Sequence, residues 1–134
     1  MIMKPINVFV IDDDEIYQFT IGVILKSIPN VNSIQMFGDG AEALEHILTH
    51  KNVESELPDI VFLDINMPVM DGFQFMDEFI ELLPKLSKNT KVYMVSSSMD
   101  PKDIKKADRI EEISDYLVKP LKSTHIKEIL LEIS

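Results

Sequence analysis

Four acids stand in a row at Asp12, Asp13, Asp14 and Glu15, directly after the apolar run "INVFVI". Carboxylates this close repel one another, so the cluster calls for a cation or a helix end to compensate it. Helix capping answers part of that demand, because an Asp supplies an N-cap oxygen and acids suit the first turn. A cation or phosphoryl site at the end of a strand answers it differently. Asp64 closes the run "DIVFLDI", Ser96, Ser97 and Ser98 close "KVYMVS", and Lys119 follows "DYLV". Acids, a hydroxyl and one ammonium together suit a phosphoryl group handled with Mg²⁺, a hard cation that prefers carboxylate oxygens. Phosphoryl transfer asks mainly for positioning and for neutralisation of oxygens. No GxxxxGK[ST] loop is present, so a nucleotide is a poor source of that group. Each residue also has an ordinary reading: Asp64 before a helix, the serines as turn formers, Lys119 as a solvated lysine. Those readings leave unexplained why all of them end strands.

The surrounding pattern supplies the frame. Continuous apolar runs at 6–11, 33–37, 59–65, 91–96 and 115–118 read as strands. Helical segments alternate with them. In the first, Ile16, Phe19, Thr20, Val23, Ile24 and Ile28 recur at helical spacing; in the second, "AEALEHILTH", Leu44, Ile47 and Leu48 share a face. "FQFMDEFIELL" makes the third, and "MDPKDIKKADRIEEI" opens a fourth with Asp100 as N-cap and Pro101 at its first position. "STHIKEILLEI" ends the series. Five β-α units imply an α/β fold, a doubly wound five-stranded parallel sheet flanked by five helices. Ligands bind such sheets beyond the carboxyl ends of the strands. That rim is where the acids, serines and lysine fall.

Bulk properties narrow the function classes. The chain of 134 residues fits one domain over 1–134 and can bury a core without metal staples. It has no cysteine, which excludes disulfides and thiolate metal sites. A formal net charge of −10 disfavours a nucleic-acid partner. No apolar run spans a bilayer and the N-terminus lacks a signal-peptide pattern, so a cytoplasmic protein without membrane insertion is expected.

The stretches "VFVIDDDE", "DIVFLDINMPVMDG", "KVYMVSSS" and "DYLVKPL", in this order, resemble the receiver domain of two-component response regulators, over essentially the whole chain. The resemblance implies a flavodoxin-like strand order 2-1-3-4-5 and a phosphoacceptor switch rather than an enzyme acting on other substrates. Asp64 is then the phosphoacceptor, taking its phosphoryl group from a sensor histidine kinase or a histidine phosphotransfer protein. Asp13 binds Mg²⁺ directly, Asp12 through water, and Asp64 and the backbone carbonyl of Asn66 complete the metal set. Lys119 pairs with the phosphoryl group, Ser96 hydrogen-bonds it, and Tyr116 is the aromatic that follows that hydroxyl. Lys119–Pro120 matches a bond that is often cis in the family. Asn66, Ser97 and Ser98 occupy modulating positions. The responding surface falls on 99–110, 115–118 and 123–133, where an unidentified protein target binds; with no output domain expected, output is through binding. Three departures stand out: Ser96 replaces the commoner threonine, no glycine precedes the fifth strand, and the connector "THKNVESELPD" is long.

Rival readings exist. "DDD" contains the D-x-D of haloacid-dehalogenase-type phosphatases, with Asp12 as nucleophile and Asp14 as general acid, but no acidic pair follows Lys119 and "LDINMPVMDG" goes unexplained. A receiver-like scaffold without phosphorylation is disfavoured by the presence of Asp13, Asp64 and Lys119. His46 and His50, one turn apart, are read as solvated residues on the polar face of their helix, rather than as a metal pair or a phosphohistidine site. His125 carries no signal, and the eight methionines read as core filler.

Overall fold

A computed structural model describes residues 4–133. Strands β1 (Ile6–Ile11), β2 (Val31–Phe37), β3 (Ile60–Leu63), β4 (Lys91–Ser96) and β5 (Ile113–Val118) alternate with helices α1 (Glu15–Lys26), α2 (Gly40–Thr49), α3 (Gly72–Leu82), α4 (Pro101–Asp108) and α5 (Ser123–Ile133). All pairings are parallel and the order is β2-β1-β3-β4-β5. The expected doubly wound sheet is therefore the observed one.

Every residue of β1 and β3 is buried, because these central strands are covered on both faces. Side chains alternate across the sheet into two cores. Phe9, Ile11, Val61, Leu63 and Met94 meet α2 and α3 on one side, while Val8, Val10, Ile60, Phe62 and Val95 meet α1 and α5 on the other. The layers share no residue, so the sheet is a rigid partition whose carboxyl edge carries the loops.

Helix α1 turns a different stripe to the sheet from the one its spacing suggested. Of the expected set Ile28, just beyond the helix, is buried and Ile24 packs on the core, but the helix buries Ile21 and Leu25, whereas Ile16 and Phe19 are 79% and 75% exposed and Val23 is also exposed. The reason lies at Gly22. A Cβ there would stand 3.2 Å from Met36 Cε, so the helix sits close against β2 along its glycine side. Apolar residues occur on more than one face of α1, and close packing rather than periodicity chose between them. Helix α4 is also shorter than its pattern allowed. It stops at Asp108, Ile110 and Ile113 donate in successive turns to Ala107 and Ile110 carbonyls, and β5 begins two residues early. The missing glycine before β5 is thus met by a different turn and not by a longer helix. The long connector after α2 folds into a single 3₁₀ turn, Glu54–Glu56.

Candidate functional site

Asp12 follows β1 with its amide still donating to Phe37 O (3.0 Å), and Asp64 follows β3 with its amide donating to Ile11 O (2.9 Å). The sheet ladder therefore runs one residue past each strand and sets both carboxylates at the rim. Both are buried, Asp12 at 1% and Asp64 at 8% exposure, while Asp13 is exposed. One carboxylate oxygen from each of Asp12, Asp13 and Asp64 can be chosen so that all lie within 4.8 Å of one another. This is a three-carboxylate nest with an open side at Asp13.

Lys119 is the counter-charge. Its Nζ lies 2.7 Å from Asp12 Oδ2 and 3.8 Å from Asp64 Oδ1, brought there by the extension of β5 past its end, where the Lys119 amide donates to Ser96 O (2.9 Å). Against three acids it leaves the nest net negative. Burial, with the Asp12 charge beside it, raises the Asp64 carboxyl to a pKa of about 6; Lys119 and the Ile65 amide, which donates to Asp64 Oδ1 (2.9 Å), pull the other way. The donor set is all oxygen and partly buried, and its charge is not balanced from within. These properties fit Mg²⁺.

The loop after Asp64 is held by its own geometry. Gly72 opens α3 so close to the strand end that a Cβ would fall 2.3 Å from Asp64 O, and its amide donates to Ile65 O (2.8 Å). Met70 N donates to Pro68 O (2.9 Å) across Val69, whose φ of 74° is a strained value for a β-branched residue. Asp71 caps α3 in a capping box with Gln74. Asn66 is exposed in this loop, two residues past Asp64.

The remaining residues singled out in the sequence lie along the same rim. Ser96 is fully buried at the end of β4, with its Oγ accepting from the Ser98 amide (3.0 Å). Ser97 is exposed. The Ser98 hydroxyl donates to Asp103 Oδ2 (3.0 Å) and accepts from the Asp100 amide, and the Ser98 carbonyl accepts from Tyr116 OH (2.8 Å). Lys119–Pro120 is cis, in agreement with the expectation. Asp14 faces away from the nest: its Oδ1 accepts from the Ile16 and Tyr17 amides as the N-cap of α1. It is therefore not positioned as a general acid.

Three belt-like supports had no clear mark in the sequence. The Tyr17 ring lies 4.2 Å from Lys119 Nζ, and its buried hydroxyl has no hydrogen-bond partner among the described residues. Burial, reinforced by the charges of Asp12 and Asp64, pushes that phenol well above its ordinary value. Gln18 Nε2 ties the Asp12 carbonyl (2.7 Å) to the Phe37 carbonyl (3.2 Å), clamping β1 to β2. Gly72, whose missing Cβ lets α3 approach, is the third. Only its place in "MDG" hinted at a turn.

The response regulator receiver domain profile matches residues 8–131. The chain belongs to the response regulator receiver family. It is 34% identical over 128 residues to a protein-glutamate methylesterase/protein-glutamine glutaminase of Geobacter sulfurreducens, which covers 96% of this receiver and 31% of that protein. The receiver thus spans about a fifth to a third of the length of such curated relatives. Among solved structures, a two-component response regulator from Cytophaga hutchinsonii superposes with a TM-score of 0.85 at 28% identity, covering 98% of both chains. A chain of the CheX–CheY–BeF₃–Mg²⁺ complex from Borrelia burgdorferi gives 0.75 at 28% identity, covering 97% of this receiver and 90% of that chain. Membership favours the receiver reading over the D-x-D phosphatase, in line with Asp14 serving as a helix cap. No helix among the described residues is long and apolar enough to cross a membrane.

Proposed function

We propose that this receiver takes a phosphoryl group on Asp64 and relays that event through a protein-binding face. The observation that carries the reading is the Asp64 carboxylate itself, buried beside Asp12 with Lys119 Nζ 3.8 Å away. A carboxylate oxygen attacks the phosphorus of a phosphohistidine, the P–N bond breaks, and the imidazole nitrogen leaves with the electron pair and takes a proton. The donor is a sensor kinase or a histidine phosphotransfer protein. Asp12, Asp13, Asp64 and the Asn66 carbonyl hold Mg²⁺, which supplies positive charge for the phosphoryl oxygens. Lys119 gives up part of its contact with Asp12 to pair with the new group, and the Ser96 hydroxyl donates to it.

The switching face is formed by α4, β5 and α5. A groove of about 270 Å³ lies between α4 and β5, lined in part by Ile104, Ala107, Val118 and Tyr116. Ile104 and Val118 expose apolar surface there, and Met99 is exposed ahead of α4, which suits a protein target. Tyr116 links this groove to Ser98 and so to Ser96. Such a switch belongs in the cytoplasm, in keeping with a cysteine-free chain. Methylesterase activity is named for the longer relatives, and the match covers about a fifth to a third of their length.

Incubation with acetyl phosphate, with and without Mg²⁺, tests the reading by intact mass and base lability. Wild type gains one base-labile phosphoryl group only with Mg²⁺, and Asp64→Asn gains none. Equal labelling of the variant, or labelling indifferent to chelation, overturns it.

A further inference from the structure

His46 and His50 do not behave as solvated histidines. His46 lies in the last turn of α2 and His50 is its C-cap, and their rings stack with centroids 4.3 Å apart. The His46 side chain is only 17% exposed, and its ring meets Phe9 and Phe37, both at 5.5 Å between centroids. The expectation of two rings in water failed because β1 and β2 bring their phenylalanines under this end of the helix. Packing of this kind fixes a ring orientation before any ligand arrives.

Glu56, in the 3₁₀ turn after α2, faces the pair. His46 Nε2 stands 3.4 Å from Glu56 Oε2, and one ligand atom from each of His46, His50 and Glu56 can be chosen within 4.8 Å of the others. Two ligand atoms on a tetrahedral ion, each bonded at about 2.0–2.1 Å, lie about 3.3–3.4 Å apart. The His46–Glu56 spacing is thus already that of a shared tetrahedral ion. Partners behind two of the ligands, His50 and Glu56, point the same way. His50 Nδ1 is 2.8 Å from the His46 carbonyl, which only accepts, so Nδ1 carries the hydrogen and Nε2 keeps its lone pair. Gln35 Nε2 donates to Glu56 Oε2 (3.3 Å) and orients the carboxylate.

We propose that His46, His50 and Glu56 form a site for a borderline divalent transition-metal ion, Zn²⁺ in the first instance, with water as the fourth ligand. His46 Nε2 lies 3.1 Å from the Glu56 carbonyl and so holds a proton in the metal-free protein. Binding breaks that hydrogen bond: Nε2 gives its proton to water, Nδ1 takes one up, and the ring turns its Nε2 lone pair from the Glu56 carbonyl to the ion. Two imidazoles and one carboxylate suit zinc, whereas Mg²⁺ prefers oxygen and keeps its water. The site is separate from the acidic nest: Glu56 precedes β3 and Asp64 follows it, so the two lie at opposite ends of one strand. An ion here staples the end of α2 to the long connector.

Calorimetric titration of the whole protein with Zn²⁺ in excess Mg²⁺ tests the site. One Zn²⁺ per chain is expected, with an affinity that falls about 100-fold in His50→Ala and in Glu56→Gln and about tenfold in Gln35→Ala. These positions lie away from the packed Phe9–Phe37 contact, so the variants fold, and far-UV circular dichroism verifies it. The histidine ring protons of His46 and His50 should shift together at one equivalent. No binding in excess Mg²⁺, or binding that survives both His50→Ala and Glu56→Gln, overturns the site. Loss in Asp13→Asn with retention in His50→Ala would locate the ion in the acidic nest and overturn it equally.

Discussion

Replacing Asp64 by asparagine removes a charge that the folded chain holds at a cost. The carboxyl rises from 3.8 to a pKa of about 6 through burial and the neighbouring Asp12 charge, so the folded state binds the proton more tightly than the unfolded state does. Sign follows directly. Below the unfolded value the group is protonated in both states and costs nothing; the penalty builds as pH rises from 3.8 to about 6 and is constant above that. A shift of this size corresponds to about 3 kcal/mol when fully expressed, and water at the pocket mouth screens it to roughly 2 kcal/mol. Asparagine keeps the Oδ1 acceptor that receives the Ile65 amide. In chelator, Asp64→Asn should therefore melt roughly 6–8 °C above wild type near pH 8. About half of that advantage should remain near pH 5, as the wild-type carboxyl takes up its proton. Thermal unfolding followed by circular dichroism across that range reads the gap. Mg²⁺ should narrow it, because the ionised wild-type carboxylate gains more from the ion than the amide does. A variant less stable than wild type near pH 8, or a gap indifferent to pH, refutes the electrostatic account of the nest.

Tyr17→Phe should raise stability by about 1–2 kcal/mol in chemical unfolding, because it deletes a buried hydroxyl without a partner among the described residues and keeps the ring beside Lys119. A loss of stability would mean that the hydroxyl is satisfied by water. Gly72→Ala should cost about 3 kcal/mol or more and lower acetyl phosphate labelling, since the new Cβ meets the Asp64 carbonyl at 2.3 Å; wild-type stability would refute the close approach of α3. Asp14→Ala should cost about 1 kcal/mol as a lost N-cap yet leave Mg²⁺-dependent labelling intact, and abolished labelling would return Asp14 to the chemistry.

The fold was legible because its central strands are apolar without interruption. "INVFVI" and "DIVFLDI" could only be strands covered on both faces, and their ends therefore marked the rim where Asp12, Asp64 and Lys119 meet. Capping chemistry was equally plain at Asp100 and Pro101, which open α4 as expected. The face of α1 was not legible, since its apolar residues lie on more than one side and the choice was made by a glycine against Met36. His46 was misread for a related reason. A helical wheel shows which residues oppose Leu44 and Ile47, but not that Phe9 and Phe37 reach that side from two strands. Tyr17 and Gln18 escaped because their partners are a lysine near the far end of the chain and two backbone carbonyls. Contacts to a distant lysine or to backbone carbonyls leave no periodic trace.

Ser98 offers its three polar groups to three different parts of the molecule: the amide to Ser96, the carbonyl to Tyr116, and the hydroxyl to the start of α4. If the Ser96 hydroxyl turns toward a phosphoryl group on Asp64 as proposed, the Ser98 amide is expected to lose its acceptor while the other two bonds still hold the residue in place. Its hydrogen should then exchange with solvent faster. The Ser98 amide is in this way a built-in spectroscopic gauge: its exchange rate and nuclear resonance should report the state of the pocket before any change reaches the groove beside β5.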